Sequence, residues 1–376
     1  MSPSPVYSRK NPLSARLLRS EILTKPGSGK DTRHFEIDLA GSGMQYEPGD
    51  SLAVQPLNDP SLVLEIIDVL GLKPDEALAD GTTLYDALYK DYSITQPDPK
   101  LLKGIAAVAP HSIFGHLLDP DRKEDLNEYL WGREVIDILL EHPEVKFSAQ
   151  EFVGLLRKLQ VRLYSISSSL KAVNEQVHLT IATVQYESFG RQRQGVASAW
   201  LAYRADESTT IPCFITPNNR FRLPSPEKDV PIIMVGPGTG VAPFRAFVQE
   251  RGATRAKGKA WLFFGEQHQA SEFFYEEEWN AALQTGALTK ISTAFSRDQA
   301  HKIYVQHRML DEAAELWRWL EEGAIFYVCG DKTRMAADVD AALHQVVHQQ
   351  GGKSIEEAEA YVEAMRKEHR YHRDVY

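Results

Sequence analysis

Residues 234–245 read MVGPGTGVAPFR, and this stretch decides the fold of the second half of the chain. It grows out of the apolar run Val230–Val235, whose β-branched residues predict a buried parallel strand. Gly236, Gly238 and Gly240 let the backbone turn sharply and bring N–H groups to a ligand's phosphates at the start of a helix. The G-x-G-x-G spacing fits neither the common G-x-G-x-x-G fingerprint nor a P-loop. Taken alone, the stretch is compatible with a dinucleotide pocket or with a glycine-rich turn that binds nothing.

The composition is that of an ordinary globular protein. The chain has 376 residues, of which 43% are hydrophobic and 25% charged, enough for two or three domains with their own cores. A net charge of −10 without a long basic run argues against nucleic acid as a partner. No stretch approaches the roughly 20 apolar residues of a membrane span, and the first residues lack the apolar core of a signal peptide.

Cysteine usage predicts a cytoplasmic location. Cys213 and Cys329 are too few for a disulfide framework, although two cysteines alone do not exclude a single bridge. His344 and His348 lie four residues apart, as in a zinc motif, but Gln345 replaces the glutamate and no third ligand is evident. We therefore expect an exposed helix face there and no metal site.

Hydrophobic periodicity predicts three regions. Alternating stretches up to about residue 56, and again at 161–167, 176–186 and 210–215, predict antiparallel strands of a barrel or sandwich. Runs at 62–70, 84–92 and 131–141 predict a helical insert between them. After a hinge at Pro224–Pro226, strands predicted at 231–235, 260–264, 288–294 and 324–328 alternate with helical runs, which is typical of a parallel α/β sheet.

Two further stretches favour a phosphate-bearing ligand. In the predicted strand RLYSISSS, Arg162 and Tyr164 share one face, so a cation for a pyrophosphate and a flat ring for stacking lie together. Gly195–Ser198 precedes an apolar helical run and offers N–H groups and a hydroxyl at a helix start. A surface arginine on an edge strand and a capped helix without a ligand are the alternatives.

Several motifs in fixed order resemble one family. RLYSISSS, GVASAWLA, GPGTGVAPFRAF, WLFFGEQH, AFSRDQ, KIYVQH, YVCGD and RYHRDVY match the NADPH- and FAD-binding portion of diflavin reductases, among them the flavoprotein subunits of bacterial sulfite reductases. The resemblance covers nearly the whole chain. It implies a ferredoxin reductase-like fold with an antiparallel FAD-binding β-barrel (1–58 and 151–226), a helical connecting insert (59–150) and a parallel α/β NADP-binding domain (227–376). The sequence departs from the family's pattern at the front: such reductases usually begin with an FMN-binding, flavodoxin-like domain, and this sequence starts essentially at the expected barrel.

The resemblance assigns FAD contacts. Arg162 would hold the pyrophosphate, Tyr164 would stack on the isoalloxazine and Ser165 would hydrogen-bond near flavin N5. Tyr376 would cover the other flavin face. The remaining implied contacts are Gly132, Leu163, Thr180, Ile181, Ala182, Tyr186, Gly195, Val196, Ala197 and Ser198.

The NADP side can also be argued from chemistry. Ser296 and Arg297, followed by Lys302, Tyr304 and Gln306, place a hydroxyl, two cations and an aromatic near one spot, which suits the extra phosphate of NADPH. A solvated basic face is the alternative. By resemblance, further NADPH contacts are Gly238, Thr239, Gly240, Ile303, Val305 and Asp338.

The resemblance also places a catalytic set, Ser165, Cys329 and Asp374, around the nicotinamide and flavin rings, although Cys329 could equally be a small buried apolar residue. The predicted function is an NADPH-dependent FAD oxidoreductase that takes two electrons as hydride and releases them singly to a separate protein: a flavodoxin, a ferredoxin or a sulfite reductase haemoprotein. The last acceptor would give it a part in sulfite reduction and cysteine biosynthesis. The alternatives are a general flavodoxin or ferredoxin reductase and, in another class, a nucleotide-binding scaffold without redox activity.

Overall fold

The computed structural model describes residues 7–376, which fall into two compact units. Within the described residues, unit 1 comprises 7–53, Leu163–Ala182 and Glu207–Tyr376, and unit 2 comprises Val54–Arg162 and Thr183–Asp206. Among the residues described, no helix is both long and apolar enough to cross a membrane.

The strands and helices are numbered along the chain. The strands are Leu13–Ile22 (β1), Thr32–Asp38 (β2), Ser51–Val54 (β3), Arg162–Ser165 (β4), Gln176–Ala182 (β5), Gln185–Ser188 (β6), Arg191–Gln194 (β7), Thr210–Thr216 (β8), Ile232–Val235 (β9), Ala260–Glu266 (β10), Lys290–Phe295 (β11), Ile325–Gly330 (β12) and Tyr371–Val375 (β13). The helices are Pro60–Leu70 (α1), Leu84–Lys90 (α2), Pro99–Val108 (α3), Phe114–Leu117 (α4), Lys123–Leu130 (α5), Val135–Glu141 (α6), Ala149–Leu155 (α7), Leu170–Val173 (α8), Val196–Ala199 (α9), Ala242–Thr254 (α10), Gln269–Glu272 (α11), Glu276–Thr285 (α12), Val305–Asp311 (α13), Ala313–Glu321 (α14), Met335–Gln350 (α15) and Ile355–Lys367 (α16).

An antiparallel sheet forms the first layer of unit 1. Its six strands run in the order β4-β3-β8-β1-β2-β5. Phe35 and Ile37 of β2 are fully buried, and they pair with Leu179 and Val177 of β5, so apolar side chains meet across the strands. An isolated antiparallel bridge between Ile166, just after β4, and Leu179 links the two ends of the strand order. The sheet therefore curls back on itself as a barrel does.

A parallel sheet forms the second layer of unit 1. Its order is β11-β10-β9-β12-β13, and every neighbouring pair is parallel. Trp261 and Phe263 point into a core closed by helices α13–α16, whereas Phe244 and Phe247 of α10 close the other face. Because both faces are covered, the strands are continuous apolar runs, as the sequence indicates.

Unit 2 is mainly helical. Helices α1, α2, α3, α6 and α7 bury one apolar cluster, and the hairpin β6–β7 and the short helix α9 follow later in the chain. Arg193 of β7 is almost completely buried and forms ion pairs with Glu134 at 3.2 Å and Asp137 at 2.6 Å. Buried charges require such partners, so this triad fixes how the hairpin lies on α6.

The predicted fold class is confirmed: an antiparallel, barrel-like sheet is followed by a parallel five-stranded sheet with helices. Two elements differ from the predictions that the hydrophobic periodicity gave. The stretch 176–186 breaks into β5 and β6, and the helix expected from residue 131 begins only at Val135. Gly132 has a φ of +77°, which interrupts any helix at that point.

Candidate functional site

The glycine stretch lies where the strand order of the parallel sheet reverses. The chain runs from β9 outwards to β10 and β11 on one side and continues with β12 and β13 on the other. A crevice therefore opens at the carboxyl ends of β9 and β12, where open α/β sheets bind ligands. Gly236–Gly240 follows β9 directly, and a 3-10 turn, Gly238–Val241, leads into α10.

Close packing explains two of these glycines. A Cβ on Gly240 would lie 2.2 Å from the carbonyl oxygen of Cys329, and one on Gly236 would lie 2.6 Å from the Phe244 ring. Gly238 has a φ of +58°, a conformation that side chains rarely adopt. The turn is thus pressed against the end of β12, and its exposed side faces the crevice.

A cavity of about 450 Å³ opens beside this turn. Eight of the predicted NADPH contacts line it together: Gly238, Ser296, Arg297, Lys302, Tyr304, Val305, Gln306 and Asp338. They come from three separate stretches of sequence, which the carboxyl ends of β9, β11 and β12 bring to one place. Ile303 does not line the cavity, because its side chain packs against the core of the parallel sheet. Thr239 and Gly240 lie in the adjoining turn.

The charge balance of the cavity favours an anion. Across residues 7–376, Arg297, Lys302 and Arg334 have no carboxylate within ion-pair distance. Asp331 is engaged locally, accepting hydrogen bonds from the backbone N–H of Arg334 and from Thr333. Asp338 accepts one from Gln306 at 3.1 Å. Lys30 is paired with Glu266, so the lining leaves three cations against two carboxylates without a cationic partner, and this small excess of positive charge suits a phosphate group.

Ser165, Cys329 and Asp374 meet at the other side of the glycine turn. The Ser165 hydroxyl donates to Asp374 Oδ2 at 2.9 Å, and Cys329 Sγ lies 4.0 Å from the same oxygen. Parallel pairing puts Cys329 directly beside Asp374 in neighbouring strands. The structure thus brings together three residues that lie up to 209 positions apart in the sequence.

The ionisation states of this cluster follow from its surroundings. Burial, reinforced by the Asp374 charge, raises the pKa of the Cys329 thiol well above its usual value. Cys329 is therefore a neutral thiol and a weak hydrogen-bond donor, not a thiolate nucleophile. Burial also raises the pKa of the Asp374 carboxyl, and the hydrogen bond from Ser165 opposes that shift.

Tyr376 lies beside the glycine turn with 64% of its surface exposed. Its hydroxyl is 3.0 Å from Thr239 Oγ1, and its backbone N–H donates to the carbonyl of Gly330 at 3.2 Å. Tyr376 is thus held in place both by its backbone N–H and by its hydroxyl. An aromatic ring so exposed offers a face on which a planar ring can stack.

The other predicted FAD contacts in unit 1 lie on β4 and β5. Leu163 is 57% exposed, and Tyr164 and Ser165 are half-buried. Thr180 and Ile181 are buried, and the Thr180 hydroxyl is 2.7 Å from the Tyr275 hydroxyl. The side chains of Thr180 and Ile181 therefore contact other parts of the protein, whereas Ala182, at the end of β5, is partly exposed.

Unit 2 contains the rest of the predicted FAD contacts. Gly195 precedes α9, and the Ser198 hydroxyl accepts from the N–H of Val184 at 3.1 Å. A Cβ on Gly195 would lie 2.6 Å from Ser198 Oγ, so a larger residue there would have to displace the Ser198 side chain. The side chains of Val196, Ala197 and Ser198 are buried, so these residues would contact FAD through their backbone.

Three more predicted contacts belong to unit 2. Arg162 donates to the carbonyl of Gln160 at 2.8 Å and, over the described range, has no carboxylate partner. Gly132 packs on Ser188 so closely that a Cβ would lie 2.3 Å from its hydroxyl. Tyr186, on β6, is 46% exposed.

A polar network joins the two sheets of unit 1. Arg245, on the first turns of α10, donates to the carbonyl of Ser167 at 2.7 Å and forms two 2.8 Å hydrogen bonds with Glu278. It also faces His178 Nδ1 at 3.4 Å. His34 Nδ1 in turn lies 3.0 Å from the Tyr275 hydroxyl. Helix α10, which follows the glycine turn, is thus tied by Arg245 to the segment directly after β4.

This network includes one group with the composition of a metal site, namely His34, Glu36 and His178. Arg245 is a donor, so His178 Nδ1 must accept, and His178 Nε2 must carry the proton that it shares with Gln176 at 3.0 Å. A protonated nitrogen cannot be a ligand. The group is therefore better described as a satisfied hydrogen-bond network.

Sequence reasoning missed several residues that line the cavity: Lys30, Pro237, Gly265, Glu266, Gln267, Asp331, Arg334 and Met335. Glu266 is the last residue of β10, and Asp331 directly follows β12; these positions at the carboxyl ends of the strands could have identified them. Lys30 comes from the β1–β2 loop, more than 200 residues earlier, and no local pattern indicates its place.

Comparison with known proteins agrees with this geometry. Residues 5–200 match a family model described as FAD binding domain, and residues 234–341 match one described as oxidoreductase NAD-binding domain. The sulfite reductase (NADPH) flavoprotein alpha-component of Bacillus subtilis is 47% identical over 375 residues, covering 98% of this chain and 62% of the relative. The proteins of the same name from Vibrio cholerae and Mannheimia succiniciproducens are 48% and 46% identical, with 98% of this chain covered in each case.

The chain spans about three fifths of the length of these relatives. The FAD-binding match extends over more than half of the chain, and the NAD-binding match covers the glycine turn, Cys329 and the residues that line the cavity apart from Lys30. The chain therefore belongs to the FAD-binding domain family and carries an oxidoreductase NAD-binding domain behind that part.

Proposed function

We propose that this chain is an NADPH-dependent flavin oxidoreductase that passes electrons from NADPH through FAD to a protein acceptor. One observation carries the proposal: the glycine turn that borders the phosphate-type cavity also packs directly on Cys329 of the Ser165–Cys329–Asp374 cluster. A dinucleotide whose phosphates lie against Gly238 has its other end within reach of that cluster. The residue types present therefore fit both coenzymes.

When both coenzymes are bound, FAD takes a hydride from NADPH and delivers the electrons singly to the acceptor. The protein's residues supply position and charge. The Asp374 carboxylate lies where it can stabilise the positive charge that develops as the hydride leaves the nicotinamide. Ser165 orients Asp374 through its 2.9 Å hydrogen bond, and the neutral Cys329 thiol fills the space beside it. The exposed ring of Tyr376, held beside the glycine turn, would have to move aside for a nicotinamide to reach this cluster.

For NADPH we propose the predicted residues that line the cavity, with Arg297 and Lys302 contacting the ribose phosphate. Both cations lack a carboxylate partner in the described part of the chain, which favours a doubly charged phosphate over a free ribose hydroxyl. Thr239 and Gly240 stay predictions because they lie in the adjoining turn and not in the cavity lining. Ile303 also stays a prediction, and because its side chain packs against the core, we expect it to contribute through its backbone.

For FAD we propose contacts within each unit separately. In unit 1 they are Leu163, Tyr164, Ser165, Thr180, Ile181, Ala182 and Tyr376. In unit 2 they are Gly132, Arg162, Tyr186, Gly195, Val196, Ala197 and Ser198. The division of the chain into a barrel (1–58 and 151–226), an insert (59–150) and an NADP domain (227–376) stays a prediction.

As the acceptor we propose a sulfite reductase haemoprotein, on the strength of the names that the relatives carry. This would give the chain a cytoplasmic role in the supply of reduced sulfur for cysteine biosynthesis. The chain's charge of −10 would require a local basic surface for an acidic partner such as a flavodoxin.

The test of the coenzymes begins with the purified chain. We expect a yellow protein with bound FAD that oxidises NADPH in the presence of ferricyanide. Asp374→Asn should lower kcat at least tenfold with little change in the NADPH KM, because it removes charge stabilisation and leaves the binding cavity intact. Thr285→Ala, which removes a hydroxyl outside both the cluster and the cavity, is the control. A colourless protein that FAD does not reconstitute would refute the proposal and favour a nucleotide-binding scaffold.

The acceptor is tested separately. Purified sulfite reductase haemoprotein, flavodoxin and ferredoxin are each mixed with the FAD-loaded chain and NADPH, and acceptor reduction is followed by absorbance. Reduction of the haemoprotein supports the proposed acceptor. If only flavodoxin or ferredoxin is reduced, the chain is a general reductase, and the sulfite assignment is wrong.

A further inference from the structure

The loop between β1 and β2 is fastened to the second half of unit 1 at three points, one of which lies at the nucleotide cavity. Lys25 N–H donates to the carbonyl of Ser271 at 2.8 Å, and the Ser28 hydroxyl donates to Glu272 Oε1 at 2.5 Å. Lys30 Nζ lies 2.9 and 2.7 Å from the two carboxylate oxygens of Glu266. A loop of the antiparallel sheet thus supplies a cation to a cavity built by the parallel sheet.

Glu266 is an unusual residue for such a cavity. It ends β10, its side chain is only 5% exposed, and it lines the cavity that we assign to NADPH. Its Oε1 would lie 3.3 Å from a Cβ on Gly238, the turn against which the phosphates would lie. A buried carboxylate at that distance repels a pyrophosphate, because few water molecules remain to screen it.

Lys30 compensates for that charge. Its ammonium group bridges both oxygens of Glu266, whereas its own side chain is 38% exposed and reaches in from the surface. Burial raises the pKa of the Glu266 carboxyl, and Lys30 acts in the opposite direction. Glu266 is also fixed in place, because its Oε2 accepts from the N–H of Gln267 at 3.0 Å. The acid cannot turn away, so its charge must be neutralised where it lies.

We propose that Lys30 is a nucleotide-affinity residue that neutralises Glu266 and so permits a pyrophosphate to lie against Gly238. This inference rests on the proposed function. It assigns to the β1–β2 loop a role in NADPH binding that differs from that of Arg297 and Lys302. Those two cations discriminate NADPH from NADH, whereas the Lys30–Glu266 pair acts on the pyrophosphate that both nucleotides share.

The experiment measures binding to the FAD-loaded chain by calorimetry, with NADP⁺ and with 2′-AMP, which carries the ribose phosphate but no pyrophosphate. Lys30→Ala should raise the NADP⁺ Kd at least tenfold and leave the 2′-AMP Kd within about twofold. Lys30→Arg should bind like the wild type, since it keeps the charge. Lys171→Ala, which breaks a comparable ion pair with Glu250 outside the cavity, is the matched control and should change neither Kd.

The decisive variant is the double change Lys30→Ala/Glu266→Gln. It removes the buried charge together with its partner, so it should fold and restore the NADP⁺ Kd to within about threefold of wild type. Three results would overturn the inference: unchanged NADP⁺ binding in Lys30→Ala, a double variant as weak as Lys30→Ala, or an equal loss for 2′-AMP. Failure of the wild-type chain to bind NADP⁺ would instead overturn the proposed function.

Discussion

At the scale of single residues, three cations of the nucleotide cavity, Arg297, Lys302 and Arg334, lie together without a carboxylate within ion-pair distance in the described residues. In a chain with a net charge of −10, such a group of cations is a local reversal of the overall charge. Such groups cost stability through mutual repulsion. Their presence together is explained by the binding of an anion.

The first prediction concerns the selection of NADPH over NADH by these cations. Arg297→Ala/Lys302→Ala should raise the NADPH KM about 10- to 100-fold and leave the NADH KM nearly unchanged, because only the ribose phosphate loses contacts. The measurement is steady-state kinetics with both nucleotides. Arg318→Ala, on an exposed face of α14, is the control. An equal loss with NADPH and NADH would contradict the assignment.

The second prediction concerns Tyr376. Tyr376→Ala should improve NADH use relative to NADPH, because the nicotinamide would no longer compete with a ring for the same place. Tyr376→Phe is the matched control: it keeps the ring and removes only the hydroxyl that contacts Thr239. We expect it to preserve the wild-type NADPH/NADH ratio of kcat/KM. The stacking role is wrong if the alanine variant also leaves that ratio unchanged.

At the scale of elements, the glycine turn holds the cluster and the cavity in register. Gly240→Ala would push a Cβ to 2.2 Å from the Cys329 carbonyl oxygen, so the end of β12 must move. We expect a loss of about 1–3 kcal/mol in unfolding free energy and weaker NADP⁺ binding. Urea unfolding and calorimetry measure these.

Gly252→Ala, on the helix α10 that follows the turn, provides the matched control. Its Cβ would lie 3.6 Å from Ala287, an ordinary contact, and alanine favours the helix by up to about 1 kcal/mol. This variant should be as stable as the wild type or more so. A Gly240→Ala protein that behaves like Gly252→Ala would show that the turn does not require its close approach to β12.

Elements with strong periodicity were predictable. The parallel strands β9, β10 and β12 are uninterrupted apolar runs, and α1 has an apolar stripe, so each was expected close to its observed bounds. Strand β13 was not expected, because Tyr371–Val375 is mostly polar and lies at the edge of the sheet. Its pairing with β12 is a tertiary effect that local sequence does not encode.

The site was predictable to the extent that its residues follow strands of known direction. Ser296 and Arg297 come directly after β11, and Asp374 lies in the motif that closes the chain. Lys30 and Arg245 could not be placed, since each acts through residues remote in sequence. Their roles follow from packing between the sheets of unit 1, which periodicity does not report.

At the scale of the whole molecule, unit 1 depends on buried groups that must stay uncharged where its two sheets meet. His34 and His178 are almost completely buried beside Arg245. Burial, followed by the charge of Arg245, lowers the pKa of His34 to about 2 and that of His178 to about 3. In the unfolded chain both would titrate near pH 6.5.

The last prediction follows from this difference. Below pH 6.5 the unfolded state binds protons that the folded state refuses, so stability falls with pH through the window from 6.5 towards 3 and is fully present above it. Each histidine contributes up to about 1.4 kcal/mol per pH unit there. Urea unfolding at pH 7.5 and 5.5 should therefore show a marked loss of stability, which His34→Asn/His178→Asn reduces. His301→Gln, an exposed position, should leave the pH dependence unchanged, and a double variant with the wild-type pH slope would show that other groups are responsible.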